Sequence, residues 1–259
     1  MKKGILTTAV ILLSAASFVY AETEKDDEKE LGISLDLTYT SKWLSKGIEA
    51  YGSKGGFFKT IDIDFYGTGF GFRVTHRNAT SSGYVDQQRI DYQPYYKGSL
   101  FEDTNYMTKF DISVAYESYT GLAAHKANTT YEWVGAFSWP KLIGHGLTPG
   151  YILHCEYPAF SGEANRHNAG NVHRFLLAYD LNVSDLQNPL KLTTEVAYYD
   201  GLGNRVSDWA YFTAGVSTKF NITEDICLVP GLYHQVTMDE SISQHKDITY
   251  TMVSMKFTF

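Results

Sequence analysis

Tyr250-Thr-Met-Val-Ser-Met-Lys-Phe-Thr-Phe259 closes the chain in strict period-two alternation, with Thr251, Val253, Met255, Phe257 and Phe259 on one face of an extended segment. The pattern recurs upstream. Leu31, Ile33, Leu35, Leu37 and Tyr39 oppose Ser34, Asp36, Thr38 and Thr40, while Ile61 and Ile63 oppose Asp62 and Asp64. Phe70, Phe72 and Val74 oppose Arg73, Thr75 and Arg77, and Ile90, Tyr92 and Tyr96 oppose Arg89, Asp91, Gln93 and Tyr95. Phe110, Ile112, Val114 and Tyr116 oppose Lys109, Asp111, Ser113 and Glu117. Carried through the chain, the alternation gives about twelve strands, within a range of roughly ten to fourteen, and an even number suits a single-chain membrane barrel. Pro94, Pro149 and Pro230 fall inside proposed strands and cannot donate to a ladder. Bulges or displaced strand ends would absorb them, and lost strands would bring the count to about ten.

The fold class this predicts is all-β: a single antiparallel transmembrane β-barrel over residues 31–259. A closed barrel is the one β-structure that spans a bilayer without unpaired backbone groups. The linkers agree, because short periplasmic turns should alternate with longer extracellular loops. Compact candidates are Gly67–Gly69, Gly98–Asn105, Pro140–Gly146, Ser184–Asn188 and Asn221–Asp225. The longer set is Ser41–Phe57, Asn78–Gln88, Tyr119–Asn128, Pro158–Gly170, Asp200–Ser207 and Met238–Lys246. The loops are short for a plug; Ser41–Phe57, with Gly47, Gly52, Gly55 and Gly56, is the best candidate for one.

At the other end, Met1-Lys-Lys-Gly precedes an apolar stretch from Ile5 to Val19, and Val19-Tyr-Ala21 fits a small-residue cleavage site. Residues 1–21 read as a signal peptide, and Glu22 to Glu30 as an acidic, solvated periplasmic leader. The 15% aromatic content, with 20 Tyr and 15 Phe, sits beside a mean hydropathy of −0.24, as expected when alternate residues face lipid and a wet lumen. The net charge of −7 argues against a nucleic-acid partner. Tyr39, Trp43, Tyr96, Tyr116, Tyr119, Trp133, Trp139, Tyr157, Tyr198 and Phe259 gather near strand ends, where amphipathic rings anchor at headgroup level.

Three kinds of chemistry are conceivable within this frame. Cys155 and Cys227 fall at different heights of the barrel, too far apart for a disulfide, and are expected as free thiols. The eight His show no metal-ligand spacing, and no cofactor is expected. For a rim-active lipase or protease, His154 with Glu156, or Asp239, Glu240 and His245, could serve, but no nucleophile stands at a recognisable spacing, so the chain is not read as an enzyme. The inward faces, by contrast, carry charges of both signs. Asp62, Asp64, Arg73, Arg89, Asp91, Lys109 and Asp111 are the candidate pore-lining residues of a narrow channel for passive diffusion of small polar or charged solutes. The same residues could instead pair off and close the lumen, leaving a structural or adhesive barrel.

Two stretches carry a resemblance. The terminal strand ending at Phe259 resembles the recognition strand of bacterial outer-membrane barrels, which the barrel-insertion machinery reads. The run Tyr39-Thr-Ser41-Lys-Trp43-Leu-Ser-Lys46-Gly47-Ile resembles the opening motif of the TorF-type porin family, Ser-Asp-aromatic-aliphatic-Phe-Arg-Gly. The chain keeps Ser41, Trp43, Leu44, a basic residue as Lys46, and Gly47, and departs at Lys42 and Ser45. The resemblance implies a porin in the outer membrane of a Gram-negative-type bacterium, with outer-membrane lipid and small solutes as partners. Gly47 would let the chain turn out of the membrane into the first outer loop.

Overall fold

The alternating segments become strands in a computed structural model. It describes residues 30–259 apart from 53, 162–168, 184–187 and 245, with backbone alone at 85, 86 and 122–124 and in the short pair Ala9–Ile11 and Ala16–Phe18. The rest of residues 1–29, on which the expected signal peptide and most of the expected acidic leader fall, lies outside the described residues. The first six barrel strands are β1 (Gly32–Thr40), β2 (Gly56–Asp64), β3 (Phe70–Ala79), β4 (Arg89–Leu100), β5 (Thr108–Tyr119) and β6 (Thr130–Ser138). The second six are β7 (Leu147–Pro158), β8 (Gly170–Leu181), β9 (Leu190–Asp200), β10 (Asp208–Thr218), β11 (Ile226–Thr237) and β12 (Ile248–Thr258). Each pairs antiparallel with the next, and β12 pairs back onto β1 from Met252↔Thr40 to Thr258↔Ser34. The sheet is therefore closed and presents no edge for another chain to pair with.

All twelve strands survive their prolines, and no strand pairing shifts to accommodate them. Pro94 faces Phe72 of β3, while on its other side the β4–β5 ladder skips Gln93 and Pro94 and resumes in the same register. Pro149 lies one residue beyond the last partner of β6, Gly150. Pro230 sits in a gap between Ser217↔Gly231 and Phe220↔Leu228. In each case the missing N–H costs one rung on one side. The one register shift lies between Ala197 and Tyr198, where β10 bulges at Ala210.

Both ends of the barrel sequence and the turns 65–69, 101–107, 139–146, 182–189 and 219–225 lie at one end, here the terminal end. The linkers 41–55, 80–88, 120–129, 159–169, 201–207 and 238–247 form the loop end. Gly98 and Ser99, expected in a turn, continue β4 to Leu100. On the outer face Tyr39, Ile61, Ile112, Trp133, Phe175 and Leu232 are exposed, large apolar side chains drawn from strands all around the barrel. The inner face carries the polar half of every alternation. Cys155 and Cys227 are free thiols, as expected.

Candidate functional site

All seven residues singled out in the sequence point to the inner face, and six of them lie in ion pairs. In the terminal half of the barrel, Arg73 Nε lies 2.8 Å from Asp62 Oδ2 and its Nη2 lies 2.6 Å from Asp111 Oδ2. Its guanidinium stacks 4.0 Å over the Tyr95 ring, and the Tyr95 hydroxyl donates to Asp62 Oδ1 at 2.7 Å. Nearer the terminal end, Lys97 Nζ meets Asp64 Oδ2 at 2.7 Å, and Lys109 is half-buried. Toward the loop end, Arg89 Nε lies 2.7 Å from Asp91 Oδ1 and its Nη1 2.6 Å from Glu117 Oε2. Arg77 Nε lies 2.6 Å from Asp91 Oδ2.

On the opposite wall Arg174 grips Glu195 through two parallel bonds of 2.7 and 2.5 Å, and the Tyr211 hydroxyl adds a third at 2.6 Å. His154 is buried between Glu132, 3.1 Å from its Nδ1, and Arg174, 3.3 Å from its Nε2. Its other neighbour, Glu156, is occupied elsewhere. Asp239 caps a short helix, Glu240–Ser243, by accepting from the Ser241 amide at 2.7 Å, and His245 lies outside the described residues. Of the residues considered for rim catalysis, His154 and Glu156 are thus held in wall pairs and Asp239 in a helix cap.

The loop between β1 and β2 fills the loop-end half of the bore. Leu44–Ser45 pairs with Ile48–Glu49 as a miniature hairpin whose two turn residues, Lys46 and Gly47, have φ of 50° and 80°. Both central residues of a type I′ turn need positive φ, which glycine adopts freely. Gly47 is required for a second reason: a Cβ there would stand 2.1 Å from the Tyr211 ring. The turn therefore lies against the far wall inside the barrel, which corrects the expectation that Gly47 leads the chain outward.

Each side of the hairpin meets a different part of the wall. Trp43 and Tyr51 pack with Ala79 and Phe58 on the β2–β3 side, and the Arg77 and Arg89 guanidiniums lie 5.8 and 5.5 Å from the Trp43 ring. Leu44 packs with Tyr233, Ile248 and Tyr250, and Ile48 packs on the cluster of Val172, Tyr199 and Tyr211. Across the bore Lys46 Nζ lies 2.7 Å from Glu132 Oε1 and 2.8 Å from Glu156 Oε2. The Lys46 carbonyl accepts from the Tyr199 hydroxyl at 2.7 Å, and the Gly47 carbonyl from Gln235 Nε2 at 2.9 Å. Trp43, Leu44, Lys46 and Tyr51 are all at most 5% exposed. Burial alone would lower the Lys46 pKa, but the carboxylates of Glu132 and Glu156 outweigh it and hold the ammonium well above the ordinary lysine range. Burial pushes the Tyr51 phenol up.

Beside Lys46 the hairpin leaves a cavity of about 170 Å³, lined among others by Arg89, Glu117, Tyr119, Glu156, Tyr199 and Arg205. Trp43 and Tyr119, expected as membrane anchors, instead serve this interior, one as plug and one as cavity wall.

Three solved structures share the architecture. The NanC porin superposes with a TM-score of 0.56 at 12% identity, over 87% of this chain and 100% of that one. The KdgM porin gives 0.55 at 12% identity, over 87% and 99%. The COG4313 outer membrane channel from Pseudomonas putida F1 gives 0.52 at 9% identity, over 92% and 100%. The likeness is one of fold. No family model and no curated protein matches the sequence, so the TorF-type resemblance rests on the motif around Ser41–Gly47.

Sequence reasoning missed Lys46, Glu132, Glu156 and Tyr199 as one constellation. The usable signal was the loop itself: Trp43, Leu44, Ile48 and Tyr51 are too apolar for a solvated loop of this length.

Proposed function

We propose that this protein is an outer-membrane channel of porin type, passing small polar or charged solutes by passive diffusion, with the β1–β2 loop as its constriction. The observation that supports this most is the coexistence of an apolar outer belt with a charged inner wall in a closed twelve-strand barrel. A twelve-strand barrel lies between the eight strands that side chains fill and the sixteen that leave an open channel. In this reading the terminal end faces the periplasm and the loop end the outside. The exposed Phe259, whose amide donates to the Ile33 carbonyl at 2.9 Å, presents the strand that the insertion machinery reads. Asp62, Asp64, Arg73, Arg89, Asp91, Lys109 and Asp111 line the path.

A second reading, a barrel with a closed lumen whose loops bind a partner, draws on the full crossing of the bore by the hairpin. Single-channel recording of the refolded protein, with reversal potential in a salt gradient, separates the two. Discrete steps whose selectivity changes in Asp62→Asn/Asp64→Asn support the channel. Silence in both the wild type and a variant lacking the hairpin removes it and leaves the closed barrel.

A further inference from the structure

Glu132 and Glu156 are direct partners across the β6–β7 ladder. Two carboxylates facing each other on neighbouring strands repel, and in a buried wall the repulsion is costly unless a cation lies between them. The strands fix this pair whatever the loop does, and the cation in this structure is the Lys46 ammonium, 2.7 and 2.8 Å from the two oxygens. Among the described residues, the wall of this half carries the guanidiniums of Arg77, Arg89 and Arg174 against the carboxylates of Asp91, Glu117, Glu132, Glu156 and Glu195. Adding Arg205 from the β9–β10 loop still leaves the carboxylates in excess. The hairpin carries in one positive charge, that of Lys46, and His154, 3.1 Å from Glu132, is a further titratable group of this wall. The adjoining cavity of about 170 Å³ gives a small solute room beside Glu156, with Glu117, Tyr119 and Tyr199 on its walls.

We propose that the Glu132–Glu156 pair is a binding site for primary-amine cations, occupied in this structure by the chain's own Lys46 as a tethered surrogate. Amine-bearing solutes about the size of a lysine side chain compete for it. Resting on the channel reading, the consequence is that such solutes are favoured at the constriction and that the undocked channel prefers cations.

The test uses Lys46→Ala and n-butylammonium, which is the excised lysine side chain, with n-butanol as the uncharged control. In detergent, n-butylammonium should raise the thermal midpoint of Lys46→Ala, saturably, while n-butanol does not. The triple variant Lys46→Ala/Glu132→Gln/Glu156→Gln should not respond. Equal shifts with both compounds, or none with either, overturn the site. Should Lys46→Ala refold poorly, recovery of folded barrel in n-butylammonium supports the site, and no recovery overturns it. In bilayers, Lys46→Ala should raise the potassium-to-chloride permeability ratio at least about threefold, and n-butylammonium should reduce the current. A midpoint shift in a barrel that passes no current retains the amine site and removes the channel. Current without the midpoint shift does the reverse.

Discussion

The two halves of the bore are built from the same alternation and solve the same problem in different ways. At the loop end the inner wall is covered by a hairpin and filled: Arg174, Tyr199, Tyr211, His154 and Gln235 are essentially inaccessible, and every charge described there is held within the barrel. Toward the terminal end Asp64, Lys97, Lys109, Lys191 and Lys256 stay partly exposed along the inner face. A charge in the first setting depends on its partner for all of its stabilisation, whereas a charge in the second still has water. The same type of contact should therefore matter very differently in the two halves.

The largest difference is expected from breaking one ion pair in each. Arg174→Met leaves Glu195 buried without its guanidinium and should lower stability by about 3–5 kcal/mol, while Asp64→Asn, at a pair that keeps some contact with water (Asp64 21% exposed), should cost less, about 1 kcal/mol. Urea unfolding midpoints of the two variants check this, and equal losses would break the comparison. Next comes Gly47→Val. Its side chain meets the Tyr211 ring and disfavours the positive φ, so the docked hairpin should lose about 1–3 kcal/mol or more and conductance should rise several-fold. Unchanged conductance would mean that the hairpin does not limit flow.

Smaller effects follow at the terminal end and with pH. Asp62→Asn/Asp64→Asn should move the reversal potential toward anions while conductance stays within about twofold, since the hairpin makes no contact with either residue. Lys46 contributes docking that is fully present below the unfolded lysine pKa of about 10.4 and lost only as pH rises through its higher folded value. Conductance should accordingly stay flat as pH rises from neutrality to about 10, and opening at pH 8–9 would contradict the buried ammonium. Finally, a small charged thiol reagent added from the terminal side should label Cys227, on the inner face, faster than Cys155, on the outer face beside Trp133.

The part of this structure that could be read from sequence is the part governed by local periodicity. The inward positions of Arg73, Asp91, Asp111 and Glu117 follow from alternation alone, since a one-residue slip would turn each of them toward lipid. The strand count also held through Pro94, Pro149 and Pro230, because each falls where one side of the ladder is already unpaired. Ser41–Phe57 was named as the best candidate for a plug, but the contacts that dock it were not legible in the same way. Lys46 meets Glu156 across 110 positions of sequence, and Gly47 meets Gln235 across 188. No local pattern encodes such contacts, and glycines around a polar loop look alike whether the loop turns outward or inward. What distinguished this loop was the apolar load of Trp43, Leu44, Ile48 and Tyr51, which has no reason to sit in water.

On the proposed reading the β1–β2 hairpin, not the barrel wall, sets the aperture. Single-channel conductance of the wild type and of a variant with residues 44–49 replaced by a short Gly-Ser linker, recorded in the same bilayer and salt, tests it most directly. Conductance should rise about tenfold in the variant, with a shift toward cations as the wall carboxylates lose Lys46. Equal conductance in the two proteins, or a variant that folds and inserts yet stays silent, would contradict it.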